Sequence, residues 1–252
     1  KADKVRKLYV YRLDRFCRSV ADFGRLWEIL QEHNVEFVSV SENFDTSSPM
    51  GRAMLHIIMV FAQLERETTA ERVRDNYYRR ASLGSWPGGP APYGFSIGRL
   101  QAPDGRSVPT LTVNENADIV LRIFEEYAVE GMSLGLLARK LTDLGIHGPK
   151  RDTWDNVTLS RILHNPAYAM ADEQVRLYLL GQGANITSPA EHFDGVHGVL
   201  LVGKRKASDR KYTSLKDHSA SVMNSRGIVP ADLWLRCQLK LDSNRQLGNS
   251  GK

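Results

Sequence analysis

Cysteine is scarce in this sequence. Cys17 and Cys237 are the two present, and no C-x-x-C occurs. A disulfide framework and a paired-cysteine zinc site are therefore excluded within these residues, and a reducing, cytoplasmic setting is the default expectation. Long hydrophobic runs are missing too. The longest, around Met54 to Leu64, is too short for a bilayer and is broken by His56 and Gln63. The opening KADKVRK is not followed by the apolar region of a secretion signal, so no membrane partner is expected. The seven histidines show no metal-ligand spacing, so no metal is expected. No initiator methionine is present and no internal repeat is visible. The missing methionine suggests a fragment.

What is present fits a globular chain of two domains. There are 252 residues, 42% of them hydrophobic, which is enough for real cores. The formal net charge is +5 and the pI is about 9.2. That mild excess is compatible with nucleic acid and does not by itself establish it.

The first segment alternates strand and helix. Lys7 to Leu13 reads as a short strand. Ser19 to His33 has helical spacing, with Phe23, Leu26, Trp27 and Leu30 on one face. Asn34 is a stop, and Val35 to Val40 reads as a second strand. The order predicts part of an α/β domain with a parallel sheet. It begins abruptly, as though an earlier β-α-β portion were absent.

A long helix comes next. Ser48 can cap it, Pro49 suits its first turn and Gly84 can stop it. About 35 residues without a breaker would run for about 50 Å. Ala53 to Leu64 is apolar nearly all the way round, which one sheet face cannot bury. Glu65 to Arg80 is charged nearly all the way round. The economical reading packs the first half on its own sheet and on a partner subunit, with the second half projecting. The other reading is a core helix that continues as a solvated charged helix in a larger monomer.

Ser85 to Gly94, SWPGGPAPYG, holds three prolines and three glycines and predicts a linker at a domain boundary. A hairpin is expected over Phe95 to Val113, turning at Pro103-Asp104-Gly105. Helices follow over Asn116 to Glu130, from Ser133 to Gly145 with Leu136, Leu137 and Leu141 inward, and over Asn156 to His164. Asn165-Pro166 stops the last of them. The three make a helix-turn-helix variant with an enlarged turn. After Tyr168 the pattern weakens. Lys204 to Lys216 is basic and polar and is expected as a loop, and Pro230 to Leu247 as a final amphipathic helix.

Two clusters carry chemistry. Near the first strand, YRLDRFCR sets Asp14, Arg15 and Arg18 together. Arginine keeps its charge and offers a planar fork that matches two phosphate oxygens. The spacing D-R-x-x-R puts Arg15 and Arg18 about one helical turn apart, so both can face one ligand. Preorganised donors of this kind stabilise a phosphoryl-transfer transition state. Alone, such a group also reads as a surface ion pair. The second cluster lies on the long helix: Glu65, Arg66, Glu67, Glu71 and Arg72.

Together with Asp45, Thr46, Ser47 and Gly51, the linker GSWPGGPAPYGF and the stretch from Trp154-Asp155 to Ile162-Leu163-His164-Asn165-Pro166-Ala167-Tyr168, these clusters resemble the serine recombinase family, in particular its large serine integrases and transposon recombinases. The resemblance covers nearly the whole chain. It implies part of a resolvase-like catalytic domain over 1–84, with the interface helix over 48–83. A linker over 85–94 follows, then a mostly α-helical DNA-binding domain over 95–170. An extension over 171–252 would lead towards a zinc ribbon.

The resemblance also implies roles. Asp14, Arg15 and Arg18 match the motif whose arginines bind the scissile phosphate. Glu71 and Arg72 match the active-site Glu-Arg of the long helix, while Glu65 and Arg66 match a more structural step. Met50 and Gly51 begin the helix that exchanges contacts between a homodimer and a synaptic homotetramer. The family needs no cofactor. A serine hydroxyl attacks double-stranded DNA at an attachment site, a 5′-phosphoserine link forms, and religation reverses the attack. Arg74, Arg79 and Arg80 are candidates for phosphates, as are Lys150 and Arg151. Asn156, Thr158 and Arg161 are candidates for base edges.

Two departures stand against the family pattern. Its nucleophile follows the first strand in a Y-x-R-x-S context, and no such stretch stands just after the first strand here. The fragment is therefore expected to be inactive alone, and a competing reading is a non-catalytic DNA-binding remnant that still dimerises. Ala169-Met170 also follow Tyr168, where a glycine two residues on is usual.

Overall fold

The computed structural model describes residues 5–12, 17, 20–41, 44–102, 104–149, 151–203 and 215–249. Its contacts divide the chain into two compact units, Lys1–Asp75 and Asn76–Lys252.

In the first unit, β1 (Lys7–Val10) and β2 (Glu36–Ser39) pair in parallel, with Lys7 opposite Glu36. The connection is α1 (Val20–Glu32), closed by Asn34 at a φ of 54°. Asparagine tolerates this left-handed conformation better than most residues. The expected apolar face of α1 does face inward: Phe23 is fully buried, and Trp27 and Leu30 pack on the same cluster as Phe37 and Leu55. The rings of Phe23 and Phe37 meet edge to face at 5.3 Å. The parallel expectation holds for β1 and β2, whereas β3 (Phe44–Asp45) runs antiparallel to β2. Thr46 explains the reversal. Its buried hydroxyl accepts from the amide of Phe37 and donates to the same residue's carbonyl, stitching the turn back onto β2.

The long helix α2 spans Pro49–Ser82 and crosses the division between the units. Ser48 caps it as the sequence predicts, its hydroxyl accepting from the amide of Gly51 at 2.9 Å. A Cβ on Gly51 would lie 1.7 Å from the carbonyl oxygen of Asp45. Only glycine lets the first turn come this close.

In the second unit, residues 85–94 contain no helix or strand, yet they are packed. Ser85 and Pro87 are buried, and the amide of Trp86 donates to the carbonyl of Pro109 at 2.9 Å. The hairpin is β4 (Phe95–Gln101) with β5 (Ser107–Val113), and Gly105 turns it at a φ of 79°. Then come α3 (Ala117–Ala128), α4 (Leu134–Asp143) and α5 (Asn156–Leu163), close to their expected bounds. One assignment within them changes. Ser133 caps α4, which turns Leu137, Ala138 and Leu141 inward and leaves Leu136 half exposed.

The stretch after Tyr168 is more ordered than its pattern suggests. It forms β6 (Ala169–Met170), α6 (Glu173–Gly181), β7 (Asn185–Ile186), β8 (His197–Gly203), β9 (His218–Arg226), β10 (Val229–Pro230) and α7 (Ala231–Asn249). Strand β9 lies between β7 and β8, and β6 pairs with β10. Helix and sheet therefore share the second unit: three helices follow the expected hairpin, and the strands that the sequence pattern does not show run from β6 onward. The reason is visible in β9, HSASVMNSR, which is poor in β-branched residues. One core runs from Phe95 through Tyr168 and Trp234 to Leu241, so residues before and after 170 pack together. The close approach at β6 is supplied by Gly227, whose Cβ would lie 2.3 Å from the carbonyl oxygen of Ala169. The 204–214 stretch expected as a basic loop lies outside the described residues.

Candidate active site and nucleic-acid interface

Asp14, Arg15 and Arg18 lie outside the described residues, as does Lys150. At the start of β1, Lys7 bridges Glu36 at 3.1 Å and Asp45 at 3.6 Å. The Asp45 carboxylate accepts from the amide and hydroxyl of Ser47 at 2.8 and 2.7 Å. These donors first, then Lys7, hold its carboxyl below the usual range. Asp45, Thr46, Ser47, Ser48 and Gly51 are thus one hydrogen-bonded cap that fixes where α2 begins. That is a structural reason for the D-T-S segment which sequence reasoning did not supply.

Along α2 the two halves differ. Leu55 and Ala62 are buried, and Ile58 and Met59 pack beside them. Met50, Met54, Ile57, Phe61 and Leu64 are each more than half exposed. Their spacing alternates four and three residues, the repeat of a seam that packs against another helix. His56 is exposed on the same helix.

Glu65, Arg66, Glu71 and Arg72 are exposed as well. The guanidinium of Arg66 lies over Gly24 of α1, where a Cβ would come within 3.0 Å of Nη2. No ion pair engages Glu71, Arg72, Arg74 or Arg79 among the described residues. Arg80 donates to the carbonyl of Pro87 at 3.4 Å and so touches the proline-glycine stretch.

In the second unit the candidates gather at the start of α5. Asp155 caps it, accepting from the amide of Thr158 at 2.8 Å and from its hydroxyl at 2.9 Å. The Thr158 amide first, then its hydroxyl, holds the Asp155 carboxyl below its ordinary value. The Thr158 proton is therefore committed inside the helix, leaving that side chain its methyl and a lone pair. Asn156 and Arg161 are exposed on α5, and Arg151 is exposed before it. Val157 stands beside them at 59% exposure and was missed, because a valine at helical spacing reads as core. Trp154 is core as expected, its indole donating to the carbonyl of Ile146 at 2.9 Å. Among the described residues no cluster of three metal-ligating side chains occurs, and no helix is long and apolar enough to cross a membrane.

Residues 1–86 match the family described as the resolvase N-terminal domain, and residues 114–244 match the family described as recombinase. The second match alone takes in more than half of the chain. The chain belongs to the serine recombinase family. It is 40% identical over 67 residues to the DNA-invertase of Escherichia phage P1, covering 27% of this chain and 36% of that protein. It is 34% identical over 88 residues to the transposon Tn917 resolvase of Enterococcus faecalis, covering 35% of this chain and 48% of that protein. It is 42% identical over 65 residues to the serine recombinase gin of Escherichia phage Mu, covering 26% and 34%. The chain thus spans between about a third and a half of the length of these relatives. The catalytic domain of TP901-1 integrase is 36% identical over 26% of this chain and 52% of that one, with a TM-score of 0.25.

Proposed function

We propose that this serine recombinase chain takes part in site-specific DNA recombination, cutting and rejoining double-stranded DNA through a phosphoserine link. The observation that carries the reading is the succession of a resolvase match and a recombinase match along one chain. The exposed Glu71, Arg72, Arg74 and Arg79, without ion-pair partners among the described residues, support it.

In the proposed reaction a serine oxygen attacks the scissile phosphorus and the 3′ oxygen of the neighbouring nucleotide departs. The phosphodiester's energy stays in the new bond, so rejoining needs no nucleotide. Arg15, Arg18 and Arg72 are assigned to the phosphate, Asp14 to orienting a guanidinium or exchanging a proton, and Glu71 to the same active site beside Arg72. Each guanidinium fork spreads the charge that develops on the non-bridging oxygens. Arg74, Arg79, Arg80, Lys150 and Arg151 are assigned to the DNA backbone, and Asn156, Thr158 and Arg161 to base edges. The seam of Met50, Met54, Ile57, Phe61 and Leu64 is assigned to a homodimer that pairs again into a synaptic tetramer. The cytoplasm is the proposed setting.

No Y-x-R-x-S stretch lies beside the first strand, since the one match, Tyr78 to Ser82, falls at the end of α2; this favours a second reading for residues 1–252 alone, that they bind DNA without cleaving it. The test uses the protein encoded by the whole reading frame, with plasmids carrying the DNA that flanks its gene. Recombinant product and a detergent-resistant protein–DNA adduct are expected, both lost in Arg15→Ala and Arg72→Ala with DNA binding kept. Binding without any adduct would leave the second reading standing and remove the first.

A further inference from the structure

An α-helix leaves its last four carbonyls without partners inside the helix. At the end of α2 one of these, that of Ala81, and the next carbonyls of the exit turn, those of Leu83 and Gly84, are met by β9, far along the chain. The hydroxyl of Ser221 donates to the carbonyl of Ala81, and both residues are buried. The side-chain amide of Asn224 donates to the carbonyl of Leu83 at 3.2 Å, and its backbone amide donates to Gly84 at 2.8 Å. Gly84 leaves the helix at a φ of 70°, and a Cβ there would lie 2.5 Å from the carbonyl oxygen of Val222. Only glycine can turn out of α2 this close to β9.

The same helical turn carries arginine. Tyr78, Arg79 and Ser82 face Thr187, Ser219 and Ser221 across a cavity of about 220 Å³. Arg79 and Arg80 are exposed, and Arg79 has no acidic partner among the described residues. A free helix end frays, and a frayed end must be ordered again when its side chains bind a ligand. A capped end has already lost that freedom.

We propose that Ser221 and Asn224 are positioning residues for DNA. By capping α2 from β9 they hold Arg79 and Arg80 on the DNA-binding unit, ready for backbone phosphates. This rests on the DNA reading above and extends it to two residues that touch no DNA themselves.

The test is binding of the whole chain to a labelled mixed-sequence duplex over a range of salt. Four proteins are compared: the parent, Arg79→Ala with Arg80→Ala, Ser221→Ala with Asn224→Ala, and all four changes together. Losing two phosphate contacts should lower the slope of log K against log salt by about 1.8. The Ser221/Asn224 pair should weaken binding at every salt concentration with a slope close to the parent's, because the arginines still reach phosphate but must first be ordered. The fourfold variant should bind no more weakly than the arginine pair, because the cap acts through the arginines. Ser221→Thr, which keeps a hydroxyl, should restore most of the loss. The fold should survive, since the carbonyl of Ala81 still accepts from the amide of Gly84 at 2.9 Å. Additive losses in the fourfold variant, or an unchanged affinity in the Ser221/Asn224 pair, would overturn the proposal and leave a stabilising cap only. An unchanged slope in the arginine pair would overturn it too. A parent protein without salt-dependent binding would instead bring down the DNA reading on which it rests.

Discussion

One carboxylate, that of Asp155, accepts both the amide and the hydroxyl of Thr158 and so starts the helix that bears Asn156 and Arg161. Replacing Asp155 by alanine should cost about 1 kcal/mol of stability, the usual value of such a cap. The folded carboxyl is held below its ordinary value. Its contribution is therefore present above the unfolded pKa and is lost as pH falls through the folded one. Urea midpoints of parent and variant at neutral pH and below about pH 4 should converge on acidification. A gap that stays constant would contradict the charge-assisted cap.

The first turn of α2 should tolerate no side chain at Gly51. With a Cβ only 1.7 Å from the carbonyl oxygen of Asp45, the turn or the Asp45 loop must shift. Gly51→Ala is expected to destabilise the first unit by about 2–3 kcal/mol. Helix propensity alone would predict a gain of up to about 1 kcal/mol, so the sign of the change in a thermal melt decides.

Self-association should depend on the exposed seam of α2. Ile57→Glu combined with Phe61→Glu places charge where a second helix would pack, at positions 53% and 59% exposed in this chain. Sedimentation should move from dimer towards monomer, while helical content stays close to the parent's. A parent protein that is monomeric at high concentration would remove the dimer assignment.

Ser225 ties the hairpin to the central sheet. Its hydroxyl oxygen accepts from the amide of Leu111 at 3.1 Å, stands 2.7 Å from that of Thr110, and its proton goes to the carbonyl of Leu111. Ser225→Ala leaves a buried amide without its acceptor and should cost about 1–3 kcal/mol. The amide of Leu111 should then exchange its hydrogen faster than its neighbours. Unchanged exchange would mean that the strand has found another acceptor.

These features differ in how far they could be seen in the chain itself. The helices α3 and α5 and the cap at Ser48 were legible, because each is written in local periodicity and in one capping residue. The resemblance to recombinases was legible for a similar reason, since its motifs are short and occur in order. Strand β9 was not. Its inward residues, Ala220 and Met223, carry no strand signature, and its role is set by partners more than a hundred positions away. The commitment of the Thr158 hydroxyl to Asp155 was also hidden, because the same two residues read equally well as a cap or as a reader of bases. Leu136, expected inward, is half exposed, because nothing local separates it from Leu137 beside it, which is buried.

The end of α2 bears on protein engineering. The proline-glycine stretch after Leu83 looks like the natural place to splice one recombinase's catalytic part to another's DNA-reading part. Yet Ala81, Leu83 and Gly84 are bonded to β9, and Trp86 to β5. A graft cut at Ser85 would separate a helix end from the strand that closes it, exposing Ala81 and Ser221 together. A graft cut ahead of Asn76 would carry the closure along. Soluble yield and melting behaviour of the two hybrids should differ accordingly, so the better seam for swapping specificity lies inside a helix, about two turns before its end.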